Sequence, residues 1–113
     1  MTQEACSADA EGVNQLSLTA SLIESDALRY TPSGVPALTC RLEHTSTVSE
    51  AGQSRQVKAS VKAVSFGVIA ERLATQDLGS CWQFQGFLAS PKGTKQLVYH
   101  IQEFFSFSKH NLQ

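Results

Sequence analysis

Between Arg55 and Phe66 the chain alternates. Val57, Ala59, Val61 and Ala63 share one parity, while Lys58, Ser60 and Lys62 share the other. Successive side chains on a strand point to opposite sides, so this stretch predicts a strand with one face for a core and one for solvent. At a rise of about 3.3 Å per residue, the ammonium groups of Lys58 and Lys62 stand roughly 13 Å apart on the outer face. Lysines on strands also keep sheet edges soluble and unpaired, so the pair does not by itself define a site.

The same period recurs upstream. Leu16, Leu18, Ala20 and Leu22 alternate with Gln15, Ser17, Thr19 and Ser21, which predicts a first half-buried strand. Thr31-Pro32-Ser33-Gly34-Val35-Pro36 has proline and glycine placed for a turn. A second strand follows, with Leu38, Cys40 and Leu42 on one side and Thr39, Arg41 and Glu43 on the other. Residues 45–54 are small and polar and predict a long hairpin loop into the Arg55–Phe66 strand.

After Phe66-Gly67 the period changes. Val68, Ile69, Leu73 and Gln76 sit at near-helical spacing, with Glu71 and Arg72 outside, and predict a helix of about three turns closed near Gly79. Residues 80–88 return to period two: Trp82, Phe84 and Leu88 face one way, Cys81, Gln83, Gln85 and Phe87 the other. Pro91-Lys92-Gly93-Thr94 is a tight turn, and the last strand is expected from Lys95 to about Phe107.

Strand, strand, strand, helix, strand, strand is the order of an all-β, five-stranded Greek-key barrel of the OB type. Such barrels bind oligonucleotides on strands 2–3 and on the loops joining strands 1–2 and 4–5. In this chain those elements carry Arg29, Tyr30, Arg41, Arg55, Lys58, Ser60, Lys62, Lys92 and Lys95, the candidate contacts to a nucleic-acid strand. The expected division is an N-terminal extension at 1–12, a barrel domain at 13–107 and a polar tail at 108–113.

Composition narrows the function classes. The chain has 113 residues, 42% hydrophobic and 17% charged, which suits one ordinary globular domain. No apolar run approaches the roughly 20 residues that span a bilayer. The first residues have neither a basic nor an apolar signal-peptide region, so a cytoplasmic protein is expected. The formal charge is −1, but Glu4, Asp9 and Glu11 all lie in the first twelve residues. Without them, nine basic residues face seven acidic ones, and most of the basic ones fall in or beside the candidate binding segments. That distribution suits weak, salt-sensitive contact with a polyanion.

Other chemistries find little support. Three scattered cysteines make neither a disulfide framework nor a zinc site, and Cys40 and Cys81 are expected as buried, reduced thiols. His44 and His100 have no partners at metal-ligand spacing, so no metal or other cofactor is expected. No catalytic grouping, phosphate-binding glycine loop or nucleotide signature occurs, which leaves no small-molecule substrate and no enzyme. Trp82 shares its parity with Phe84 and Leu88 and is expected in the core. Tyr30 is placed either to stack on a base or to close the barrel end. Phe104, Phe105 and Phe107 cannot all be buried in one small barrel, so at least one is expected to meet a partner. Gln83 and Gln85 are expected on the exterior, at a subunit interface or against DNA.

Five ordered segments sharpen the reading. Arg29–Pro36, Cys40-Arg41-Leu42-Glu43-His44, Glu50-Ala51-Gly52, Arg55-Gln56 and Gln85-Gly86-Phe87 resemble the primosomal replication protein N family, relatives of single-stranded DNA-binding protein. The resemblance covers about residues 14–106. It implies a homodimer of OB domains that binds single-stranded DNA and bridges it to the restart helicase and the primosome loading proteins, without catalysis. By motif position, Arg29, Arg55, Lys92 and Lys95 match basic residues of that family. The family pattern has an aromatic residue where this chain has Lys58, another near Gln53, and a longer, more lysine-rich 4–5 loop. Stacking contributes about 1–3 kcal/mol per base, so a weaker and steeply salt-dependent binder is implied. Two alternatives stay open: a protein–protein adaptor with little DNA affinity, and a tail-less single-stranded DNA-binding protein.

Overall fold

A computed structural model describes residues 12–106, so the expected tail and all but Gly12 of the expected extension, together with Phe107, lie outside the described residues. The elements are β1 (Leu16–Ser25), β2 (Arg29–Tyr30), β3 (Pro36–Glu50), β4 (Gln53–Phe66), α1 (Val68–Ala74), β5 (Cys81–Ala89) and β6 (Val98–Ser106). The sheet order is β1-β5-β6-β4-β3, and β1 pairs again with β3, so five strands close on themselves. Among the described residues only β4 and β6 run parallel. The two-residue β2 adds to the start of β3. This is the five-stranded OB barrel with its helix between the third and fourth barrel strands.

Closure follows from which side chains can leave water. Leu22, Leu38, Leu42, Ala63, Phe84 and Tyr99 are fully buried and come from all five barrel strands. Helix α1 plugs one end with Ala70 and Leu73. Backbone pairing between β1 and β3 reaches only from Ser21↔Glu43 to Ser25↔Cys40. Beyond it His44 bridges the two strands, donating from Nδ1 to the Thr19 carbonyl (2.7 Å) and accepting at Nε2 from Ser46 Oγ (2.8 Å). The Tyr99 hydroxyl donates to the Leu16 carbonyl (2.6 Å) across the interior. Asn14 does similar work ahead of β1: its amide donates to the Leu88 carbonyl and accepts from the Leu88 N–H.

Five expectations are corrected. Residues 45–54 are not a loop, because β3 and β4 stay paired from Ala37↔Phe66 to Glu50↔Gln53. The connection is two residues, Ala51 (φ 54°) and Gly52 (φ 78°), and two left-handed residues make the turn whose twist matches paired strands. The outer part of this hairpin is a ribbon with water on both sides. Ala59 is therefore exposed and Val57 and Val61 only half-buried, leaving Ala63 as the one fully buried member of its row. Helix α1 has seven residues rather than three turns; Thr75 caps it, its Oγ donating to the Arg72 carbonyl (2.8 Å), and Gly79 belongs to the turn after it. Cys81 is exposed, because its parity on β5 is outward, while Cys40 is buried. The last strand starts at Val98, three residues later than expected.

The expected core position of Trp82 held. Trp82 packs against the core edge-on to Phe104 at 5.0 Å, its indole N–H bound to Ser80 Oγ. Phe104 is buried and Phe105 is 45% exposed. Gln83 and Gln85 lie on the exterior.

Candidate nucleic-acid interface

Residues directly opposite each other on paired strands share a face. The β3–β4 register sets Arg41 opposite Lys62, Glu43 opposite Ser60 and Thr45 opposite Lys58. The outer face of this hairpin thus carries Arg41, Lys58, Ser60 and Lys62 together. Arg41 donates from Nη1 to Ser60 Oγ (3.3 Å), which lays the guanidinium along the sheet toward the middle of the row. It also lies 3.9 Å from the Glu24 carboxylate, a loose and exposed pair that contributes little stability.

Lys62 is the centre of the arrangement. It lines three adjoining grooves, of about 510, 230 and 410 Å³. The first runs between Leu16 and Leu18 of β1 and Gln96 and Leu97 before β6, and shares Arg41. The second holds Glu24, Asp26 and Arg41. In the third, Lys62 meets Arg29 from β2, Thr39 and Val64 from the barrel wall, and Ser90 and Pro91 from the β5–β6 loop. Strands β3 and β4, the β1–β3 connection and the β5–β6 loop therefore converge on Lys62.

The other sequence candidates distribute around this centre. Lys58 faces solvent four residues further out on the same side. Tyr30 is 61% exposed beside Pro36, so it does not seal the barrel end. Lys92 and Lys95 are exposed in the β5–β6 loop, whose Pro91–Thr94 turn is closed by the Thr94 N–H on the Pro91 carbonyl (3.1 Å). Arg55 is elsewhere. It pairs with Val48 on the opposite face of the ribbon and holds Glu50 at 2.9 Å.

Sequence reasoning missed two features. Glu43, opposite Ser60, puts a carboxylate between the two lysines and tempers the field of the row. The second feature is aromatic. Parallel pairing of β4 with β6 sets Val64 beside His100, and β5–β6 pairing sets Phe87 opposite His100. The His100 ring stacks on Phe87 at 4.7 Å and 14°, and Phe66 lies 6.1 Å beyond it. No local motif announces this row, because its members come from three strands.

Burial, with a smaller contribution from Asp26, pushes the Cys40 thiol up to about 12, so it is an inert neighbour of the second groove rather than a nucleophile. Among the described residues no group of three or more histidine, cysteine or acidic side chains is placed to hold a metal ion, and no helix is long and apolar enough to cross a membrane. What the face offers is positive charge, hydroxyls and a hydrophobic floor, the complement of a phosphodiester chain with unpaired bases.

Known proteins share this fold. A family described as "another single-strand binding protein family" matches residues 14–103. The replication restart protein PriB of Bordetella pertussis is 42% identical over 92 residues, spanning 80% of this chain and 86% of that protein. The chain belongs to the PriB family. The PriB of Nitrosomonas europaea is 29% identical over 91 residues, covering 80% of this chain and 84% of that one. The solved structure of PriB from Ralstonia solanacearum superimposes with a TM-score of 0.78 at 36% identity, over 86% of this chain and all of that one. A deletion mutant of the single-stranded DNA-binding protein from Thermus aquaticus reaches a TM-score of 0.69 at 23% identity, over 86% of this chain and 51% of that one, which shows the shared barrel. A family role in replication restart agrees with the implied resemblance and with the barrel.

Proposed function

We propose that this PriB-family chain binds single-stranded DNA across the outer face of β3 and β4, without catalysis, and presents the bound strand to the restart helicase and loading proteins. Convergence of three grooves on Lys62, flanked by Arg29 and Arg41, carries the reading. The phosphate chain runs past Arg41 and Lys62 toward Arg29, with Ser60 as a hydroxyl donor and Lys92 and Lys95 reaching over from the loop. Lys58 and Tyr30 extend the footprint at either end. A homodimer and a cytoplasmic location complete the proposal. The exterior of β1 and β5, with Ser17, Thr19, Gln83 and Gln85, offers an uncharged surface for self-association.

Two observations favour a second reading. Glu43 and Glu24 dilute the positive field, and Lys58 stands where the family pattern has an aromatic ring. In that reading the barrel is a protein–protein adaptor in the primosome that meets its helicase directly. Titrating a labelled oligothymidine at low and moderate salt separates the two. The DNA-binding reading expects saturable binding at low salt that weakens steeply with added salt. An adaptor shows almost no binding at either.

A further inference from the structure

Helix α1 plugs the barrel end where β4 finishes, and its Arg72 reaches Glu103 near the end of β6. The groove of about 510 Å³ lies at the other end, by the start of β1 and the entry to β6. Its floor is apolar, with Leu16, Leu18, Val61 and Leu97, and its walls carry Arg41 and Lys62. Leu97 is 59% exposed, so apolar surface is left uncovered beside two cations. Among the described residues Lys62 makes no ion pair, and Arg41 has only the 3.9 Å approach to Glu24. Leu16 opens β1, so the residues ahead of it leave from the groove's own wall. Asn14, bonded to Leu88 through both ends of its amide, fixes that point of departure. Residues 1–11 contain Glu4, Asp9 and Glu11 and no basic side chain. They fall outside the family match, which begins at residue 14.

Resting on the DNA-binding reading above, we propose that residues 1–11 occupy this groove in the free protein, as an acidic cover that single-stranded DNA displaces. Asp9 and Glu11 stand five and three residues ahead of Asn14. Extended chain carries them up to about 16 and 10 Å from it, across a groove that Leu16 and Lys62 line together. In extended backbone Asp9 and Glu11 share one parity, and Ala8 and Ala10 the other. The carboxylates meet Arg41 and Lys62 while the alanine methyls lie on the leucine floor. The same two cations hold the phosphate chain in the DNA complex, so segment and strand exclude each other. Exposed ion pairs of this kind are individually weak and are screened by salt, which keeps the cover displaceable. If it occupies the groove about nine times in ten, apparent DNA affinity is about one-tenth of that of the uncovered chain.

The test places a nitroxide label on Cys6 of the full chain in a Cys81→Ser background, since Cys40 is buried. Amide line broadening is read at Val61, Lys62 and Leu97, which are far from the label in sequence. In the free protein at low salt these amides should broaden more than those of the β3–β4 hairpin tip, and saturating oligothymidine should sharpen them again. With Glu4→Gln, Asp9→Asn and Glu11→Gln combined, the broadening should vanish. That variant should bind oligothymidine about 10-fold more tightly at low salt, with the gain fading as salt rises. No selective broadening in the free protein overturns the proposal, even if the neutral variant binds more tightly, because the acids then act only by diffuse repulsion. Broadening that persists in the neutral variant, or under saturating DNA, overturns it as well. Failure of oligothymidine to bind even the neutral variant overturns the DNA-binding reading and with it the displacement, whereas selective broadening in the free protein establishes the docked segment on its own.

Discussion

Removing one cation from the centre of the face should change how binding responds to salt, and removing one from the far side should not. For a single strand, the logarithm of affinity falls with the logarithm of salt at a slope of about −0.7 per neutralised phosphate. Arg29, Arg41 and Lys62 line the grooves. If each neutralises one phosphate, the slope is about −2.1, and affinity drops about 20-fold between 50 and 200 mM salt. Lys62→Ala should bring the slope to about −1.4 and the drop to about 7-fold. Arg55→Ala removes the same charge from the opposite face, where Glu50 already pairs with it at 2.9 Å, and should leave the slope at its original value. Anisotropy titrations at four salt concentrations resolve a change of this size. Equal slopes for Lys62→Ala and wild type, or an Arg55→Ala slope as shallow as the one expected for Lys62→Ala, would refute the placement of the strand.

Four further outcomes follow from the packing. A Cβ at Gly86 would stand 1.8 Å from the His100 carbonyl oxygen, so Gly86→Ala should force β5 and β6 apart. It should cost about 3 kcal/mol or more, the upper end for overpacking, and lower the melting temperature by more than about 12 °C. In a Cys6→Ser background, a thiol reagent should modify exposed Cys81 in the native protein and reach Cys40 only on unfolding; equal rates would contradict the burial pattern. Cys40 and Tyr99 are both raised to about 12 by burial, from 9.0 and 10.0. Their contribution to stability is fully present below about pH 9 and is lost as pH rises toward 12. Unfolding free energies from denaturant melts should fall over that window at up to about 1.4 kcal/mol per pH unit per group, and Cys40→Ala should flatten the earlier part of the decline. Tyr99→Phe removes the hydrogen bond to the Leu16 carbonyl and should cost about 1 kcal/mol in denaturant melts.

Where one face of a strand meets a core, the chain announces its own architecture. Leu16, Leu18, Ala20 and Leu22, and then Leu38, Cys40 and Leu42, place two strands and their inward faces by parity alone, and the structure buries Ala20, Leu22 and the second trio. Thr45 to Ser54 resisted the same reading for a physical reason. A ribbon solvated on both sides needs no apolar row, so the period that marks a half-buried strand is missing. Its Thr45, Thr47 and Val48 carried the residual signal, since β-branched residues favour extended backbone. Cys81 was placed outward by parity yet expected to be buried by residue type, and parity won.

The cationic face was legible in part. Lys58, Ser60 and Lys62 are neighbours in sequence, and an OB barrel brings Arg29 and Arg41 to them. The separation of Arg55 was already implicit, since it shares parity with Val57 rather than Lys58. The row of Phe66, His100 and Phe87 was not legible at all. It depends on the parallel register Val64↔His100 and on the bulge at Gln85 and Gly86, neither of which leaves a local mark.

The most direct test of the whole account is a map of backbone amide shifts as an oligothymidine is titrated into the isotope-labelled protein. Perturbations should gather on Thr39–Thr45, Ser60–Phe66 and the 90–97 loop, and should spare the hairpin tip from Val48 to Arg55 and the helix at 68–74. Saturable shifts centred on the helix or the hairpin tip, with Lys62 and its neighbours unmoved, would contradict it.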